Sequence, residues 1–298
     1  MKKTTIVTHN GKFHADDAFA VATLSLMLEK EGIAVQIKRS RDPLVWQTAD
    51  YLIDVGGENI PEQNKFDHHQ RGGGGNRPNS IPYAAFGLVW KKYGAILCGV
   101  EAAAVLDNRI VAPIDANDVG TEIVSPMYPG VYPYSISHVI SSFLPTWKEK
   151  EGDYDVRFME VLQLAKSILA REIRNAITNE EAKSRVREIY AAATDKRVLV
   201  FDAHYSELAW GEVLASFPET LYVIYPNNNS WHVTAVRKDP SRFEARKRFP
   251  VAWATKRDGE LASITGVPDA VFCHNSGHLA VATSKEGALE LARRAVES

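Results

Sequence analysis

Between Gly152 and Gly211 the chain contains neither a glycine nor a proline. No other stretch restricts the fold as strongly, because these two residues are the usual interruptions of a helix. Within it Phe158, Val161, Leu162, Ala165, Ile168, Leu169, Ile173 and Ile177 recur at i, i+3, i+4 spacing over most of 153–193. That is the period of one buried helical face. The spacing predicts one long helix, or two end to end, connecting two lobes. The boundary is placed near residue 195, giving an N-terminal domain of 1–195 and a C-terminal domain of 196–298.

Upstream of this stretch, strand and helix patterns alternate. Thr4–Thr8 is a short β-branched run, and 17–31 has helical apolar spacing through Phe19, Val21, Leu24, Leu26 and Leu28, stopped by Gly32. "GIAVQIKRS" and "ADYLIDVGG" read as the second and third strands. Beyond "FDHHQRGGGG", Ser80 is a candidate cap for a helix with Pro82 in its first turn, running to Gly94. Downstream, "KRVLVFDA" and "TLYVIYPNNNSWHVTAVR" carry strand signals, with Asn227–Asn229 as a turn. The alternation implies an α/β fold: an N-terminal parallel-sheet domain covered on both faces, and a smaller C-terminal α/β domain.

Composition excludes several classes. Hydrophobic residues make up 45% and charged residues 24% of the 298, a globular balance. "MKKTTIVTHN" has no apolar run behind its lysines, so a secretory signal is not expected. No segment approaches the roughly 20 apolar residues of a membrane span. Cys98 and Cys273 stand far apart, against a thiolate zinc site or a disulfide scaffold, and the cytoplasm is the expected compartment. Net charge is −2, yet 237–257 holds eight Lys/Arg against Asp239 and Glu244. Such a segment can contact phosphate, though a solvated charged face is the commoner use.

The metal-competent residues cluster at predicted strand ends. His9 ends the first strand; His14 and Asp16 lie in the loop that follows, at the start of the next helix. Asp54 ends "YLID", Asp67, His68 and His69 follow the next extended segment, and Asp115 and Asp118 lie in "PIDANDVG", read as a polar turn. In a parallel sheet the carboxyl ends open onto one edge, where ligands bind. Imidazole and carboxylate without thiolate favour Mn²⁺ or Mg²⁺, and a carboxylate such as Asp54 could bridge two ions. Each piece also has an ordinary use. His9 can bond to backbone, Asp16-Asp17 can cap a helix, Asp54, Asp115 and Asp118 can shape turns, and the glycines can simply flex. Two adjacent histidines after a carboxylate have no common structural use, and this favours a shared metal site.

"DHH" at 67–69, the upstream His14-Ala15-Asp16, the strand-ending Asp54 and Asp118-Val119-Gly120 resemble the four motifs of the DHH phosphoesterase superfamily. That group includes RecJ-type exonucleases, oligoribonucleases and family II inorganic pyrophosphatases. "THNGKFHADDAFA", "DVGG…KFDHHQ" and "RKRFPVAW" are similar to its Myg-type (melanocyte-proliferating-gene) family over nearly the whole chain. The resemblance implies two Mn²⁺ in the N-terminal domain, one held by His9, His14 and Asp54, the other by Asp16, Asp54, His68 and Asp118. His69 would face the phosphate and Asp67 would orient an imidazole. Of Asp115 and Asp118, the Asp-x-Gly context favours Asp118 as the ligand. A glycine–histidine phosphate motif in the C-terminal domain is matched by His274, Ser276, Gly277 and His278, with Ser276-Gly277 in place of a glycine pair. The superfamily's aspartate is replaced at His14, as in the Myg-type branch, and its glutamate after Asp16 is Asp17.

The resemblance implies metal-assisted phosphodiester hydrolysis, with short or single-stranded RNA trimmed 3′→5′ as the first substrate to consider. Arg237 is a candidate cation beside the phosphate. Trp253 is a candidate base-stacking platform, against the commoner use as packing. The rivals are a small-molecule phosphatase or pyrophosphatase using the same metals, and a binding protein that keeps metal without turnover. A membrane partner is not expected, and the oligomeric state stays open, with a homodimer among the options.

Overall fold

A computed structural model describes residues 3–149 and 153–298, and the side chain of Asp153 lies outside that description. The chain divides into two compact units, Met1–Ile177 and Thr178–Ser298.

The first unit is built on a five-stranded sheet. Its strands are β1 (Thr4–Thr8), β2 (Val35–Arg39), β3 (Tyr51–Ile53), β4 (Asn59–Ile60) and β5 (Lys65–Phe66), in the order β2-β1-β3-β5-β4. All neighbours run parallel except β4, which pairs antiparallel with β5. The helices are α1 (Ala15–Lys30), a short α2 (Pro43–Trp46), α3 (Ala85–Cys98), α4 (Val100–Leu106), α5 (Ala112–Asp118) and α6 (Ile136–Ser141). Helix α1 is buried almost all round from Ala15 to Leu28, as expected of a helix apolar on every side. Its small residues Ala18, Ala20 and Ala22 let α3 and the sheet come close, and Phe19, Leu24, Phe66, Phe86 and Phe158 fill the core.

The long helix is a single element, α7 (Asp153–Ala192), of 40 residues. The division between units falls inside it, and residue 195, the expected boundary, follows its last residue.

Two expectations are corrected. Ser80 caps no helix; it sits in a loop at φ +68, and α3 begins only at Ala85. Its first N–H groups, those of Ala85 and Phe86, donate to the carboxylate of Asp16 at 3.0 and 2.7 Å. A cap supplied from α1 relieves the sequence of any local one. "PIDANDVG" is not a turn: 113–118 belong to the helix α5, which continues directly from α4 through a π-helical turn over Asp107–Val111.

The second unit carries β6 (Val198–Val200), β7 (Tyr222–Asn227), β8 (Ser230–Ala235), β9 (Ala270–Cys273) and β10 (Leu279–Ala282), in the order β6-β7-β8-β10-β9. Only β6 and β7 are parallel. Side chains alternate along β7: Tyr222 and Ile224 join one core, Val223 and Tyr225 the other. Helices α8 (Glu207–Leu214), α9 (Asp258–Thr265) and α10 (Lys285–Glu297) complete it, α10 burying Ala288, Leu291, Ala292 and Ala295.

Candidate metal centre

Three strand ends and two helices of the first unit deliver its imidazoles and carboxylates to one place. His9 follows β1. Its Nδ1 faces the carbonyl oxygen of Asn10 at 3.2 Å, so a proton there leaves Nε2 free as an electron-pair donor. That Nε2 lies 3.2 Å from Asp17 Oδ2 and 3.3 Å from Asp54 Oδ2. The loop to α1 is pinned by Phe13, fully buried, and by Arg39, which donates to the carbonyl of Gly11 at 2.7 Å.

Asp54, after β3, stands at φ +57 with its N–H bonded to the carbonyl of Phe66. Left-handed backbone at a residue other than glycine costs about 1–3 kcal/mol and concentrates at functional sites. The conformation sends one carboxylate oxygen to His9. The other, Oδ1, lies 3.2 Å from His68 Nε2 and 3.4 Å from His69 Nδ1. Asp118, the last residue of α5, brings Oδ2 to 3.2 Å from the same His68 nitrogen, and its Oδ1 lies 3.8 Å from His14 Nδ1. Among the described residues the donors fall into three groups, the last two sharing His68: His9, His14 and Asp17; Asp54, His68 and His69; Asp16, His68 and Asp118. A cavity of about 430 Å³ opens on His14, Asp16, Asp54, His68, His69 and Asp118, lined also by Asn117, Ser137 and Ser141.

Asp67 is buried and acts on its neighbours. It accepts the N–H groups of Gly57, His68 and His69 and faces His69 Nδ1 at 2.8 Å. The ring of His69, largely exposed, is thereby held with its far nitrogen free. Asp115 belongs to a different network. It accepts the N–H of Gly87 and pairs with Arg77, whose guanidinium also clamps Asp107 through two 2.8 Å bonds. It is absent from the donor groups.

The electrostatics are those of a site short of positive charge. Burial, with the charges of Asp54, Asp118 and Asp115, holds Asp16 well above the usual carboxylate range. Burial pushes Asp17 up to about 7 although His9 opposes it. Burial would also raise Asp54, but contact with His68 and His9 outweighs it and lowers this carboxyl. His68, which burial alone would depress, is pushed up to about 11 by Asp118 and Asp54.

A divalent ion fits this donor set. Asp17 Oδ2, Asp54 Oδ1 and His68 Nε2 are buried yet lack an aligned hydrogen bond, although the last two lie 3.2 Å apart. Carboxylates buried without partners are expensive, and atoms converging without hydrogen-bond alignment suit a shared cation. Oxygen and imidazole donors point to Mn²⁺ or Mg²⁺.

Asp17 is the donor that sequence reasoning undervalued. Its Oδ1 does accept the N–H of His14 as a helix-cap residue would, and that duty hides the second oxygen turned to His9.

The C-terminal candidates lie in the second unit. His274, Ser276, Gly277 and His278 form the turn between β9 and β10. Ser276 Oγ bridges His274 Nδ1 at 2.9 Å and His278 Nδ1 at 2.6 Å. His274, Ser276 and His278, with Arg237 and Arg248, line a cavity of about 340 Å³, and Gly277 is not part of its wall. Arg237 pairs with Glu207 at 2.9 Å and lies over Phe243. The basic segment is not one basic face. Arg246 is spent on the carbonyls of Leu214, Phe217 and Thr220, Lys247 on that of Val296, and Lys238, Arg242 and Lys256 pair with nearby carboxylates. Trp253 is buried and stacked on Phe249, so packing is its use.

Comparison with known proteins bears on the family of the chain. The model of MYG1_exonuc, an uncharacterised protein family (UPF0160), matches residues 5–296. A MYG1 protein of Schizosaccharomyces pombe is 32% identical, covering 98% of this chain and 97% of its own. The MYG1 exonuclease of Homo sapiens is 27% identical, covering 98% of this chain and 86% of its own. RecJ of Thermus thermophilus, crystallised with Mn²⁺, covers 99% of this chain and 52% of its own at 14% identity and a TM-score of 0.31, too loose a likeness to argue from.

Proposed function

The chain belongs to the MYG1_exonuc family (UPF0160), and from that premise we propose that it is a metal-dependent phosphodiesterase that trims short or single-stranded RNA from the 3′ end. The observation that carries the reading is Asp54: its two carboxylate oxygens address different imidazoles, His9 on one side and His68 on the other. That is the disposition of a bridge between two ions. One ion would be held by His9, His14 and Asp54 with Asp17 close by, the other by Asp16, Asp54, His68 and Asp118. When bound, such a pair supplies an acidified water and neutralises charge on the phosphate oxygens.

The remaining work falls to the chain. Asp16, tied to the α3 N-terminus, and Asp118 are fixed before substrate arrives, so little reorganisation is needed. Asp67 orients His69, whose outer nitrogen can hand a proton to a phosphate or leaving oxygen. In the second unit, Arg237, His274, Ser276 and His278 line a cavity of their own whose cation, hydroxyl and imidazoles suit a phosphate group. Relatives that carry the name exonuclease support a nucleic-acid polymer over a small phosphate ester.

The test is incubation with Mn²⁺ and, separately, a 3′-labelled RNA, a 5′-labelled RNA, a dinucleotide and pyrophosphate. Stepwise loss from the 3′ end is expected, and it should vanish in Asp54→Asn. Phosphate release from pyrophosphate alone would assign the site to a small-molecule phosphatase. Metal bound with no turnover of any of the four would leave a binding protein.

A further inference from the structure

Trp253 is buried and offers no face to a base. The longest run of exposed apolar side chains lies elsewhere, in the segment that follows Asp118. It reads "SPMYPGVYPYS" over 125–135. Tyr128, Tyr132 and Tyr134 are 69%, 67% and 70% exposed. An aromatic ring left in water is normal singly, but three within seven residues mark a surface that something covers.

The segment is stiffened to present its rings. Pro126, Pro129 and Pro133 fix φ at three positions. The N–H of Val131 donates to the carbonyl of Tyr128 at 3.1 Å, closing a turn with Pro129 second and Gly130 third at φ +76. Proline followed by a left-handed glycine is the type II turn, and it needs glycine there. Tyr128 and Tyr132 flank that turn. Tyr134 is spent locally, stacked on His138 at 5.5 Å.

The place matters as much as the rings. A cavity of about 590 Å³ is walled by Tyr132, Ser135, His138 and Asn117. Asn117 also lines the cavity over the carboxylates and histidines, so the two hollows adjoin within one unit. From 119 to 135 the only charged side chain is Glu122. Phosphate would gain little there, but bases neither need a cation nor meet much repulsion.

We propose that Tyr128 and Tyr132 form a stacking ledge for unpaired bases of a single-stranded nucleic acid whose terminal phosphodiester lies in the adjoining cavity. This rests on the phosphodiesterase reading of that cavity. Stacking on rings rather than hydrogen bonding to base edges makes the ledge tolerant of sequence.

The experiment compares a labelled RNA oligomer with an abasic oligomer of equal length, by fluorescence anisotropy in EDTA so that nothing is cleaved. The native chain should bind the RNA tighter by at least about fivefold per ring. Tyr128→Ala with Tyr132→Ala should bring RNA binding down to the abasic level, while the paired Tyr→Phe variant keeps it. Equal binding of the two oligomers by the native chain, or unchanged RNA binding by the alanine variant, overturns the ledge. So does an alanine variant that changes only the oligomeric state in gel filtration, which would make the rings a protein interface. Mn²⁺-dependent cleavage of the abasic oligomer is measured alongside and reports on the cavity alone. Cleavage with no base-dependent binding sinks the ledge and spares the phosphodiesterase. Base-dependent binding with no cleavage of either oligomer does the reverse.

Discussion

Asp67 makes no direct approach to the shared centre, yet four groups depend on it: three backbone N–H donors and the Nδ1 of His69. Replacing it with asparagine keeps the shape and removes the charge that fixes the DHH turn. Loss of such an orienting partner typically costs 10–100-fold in metal affinity or activity, and about that loss is expected for Asp67→Asn. Isothermal titration with Mn²⁺ checks it; unchanged affinity together with unchanged turnover would remove Asp67 from the site. At this scale much was legible. His9, His14, Asp54, His68 and Asp118 could be picked out because residues of rare joint occurrence stood at strand or helix ends. Asp17 could not be weighed, because a first-turn aspartate has an ordinary capping use that it also fulfils. Arg77 could not be linked to Asp115 and Asp107, since a contact spanning 30 or more residues leaves no local pattern.

Helix α3 shows how an element can depend on the site and the site on the element. Its N-terminus is satisfied by Asp16, and one turn in, Gly87 leaves room for the Asp115–Arg77 pair. A Cβ at 87 would stand 1.9 Å from Asp115 Oδ2 and 2.8 Å from Arg77 Nη2. Alanine is the better helix former, so intrinsic propensity predicts that Gly87→Ala stabilises. Overpacking wins instead, because a buried ion pair must move: a loss of about 1–3 kcal/mol is expected, read as a melting temperature lower by several degrees. An unchanged or higher melting temperature would contradict the packing. Elements with a clear pattern, β1, α1, the β7–β8 hairpin and α7, were readable from the spacing of apolar residues and turn signals. The start of α3 was not, because its cap is 69 residues away in sequence. Nor was α5, whose polar "DAND" reads as a turn because Pro113 hides the helical run that leads into it.

For the whole molecule, the crowded carboxylates tie stability to protons when metal is removed. Asp17 titrates near 7 when folded and ordinarily near 3.9, so the folded form holds an extra proton between those values. Asp16 acts in the same direction. His68 holds its proton up to about 11 against an ordinary 6.5. In both windows the folded state binds more protons than the unfolded, so stability falls as pH rises. The lowered carboxyl of Asp54 acts oppositely, but only in acid. Chelated protein should therefore melt at progressively lower temperature from pH 6 to pH 9, and Mn²⁺, whose binding releases those protons, should flatten or reverse the trend. A calorimetric series that is flat without metal would count against the buried acidic cluster. The most direct measurement is anomalous diffraction at the manganese edge from a crystal grown with Mn²⁺. Two peaks about 3.5–4 Å apart are expected, with Asp54 between them, His9 on one and His68 on the other. A single peak, or two that do not share Asp54, would contradict the bridge.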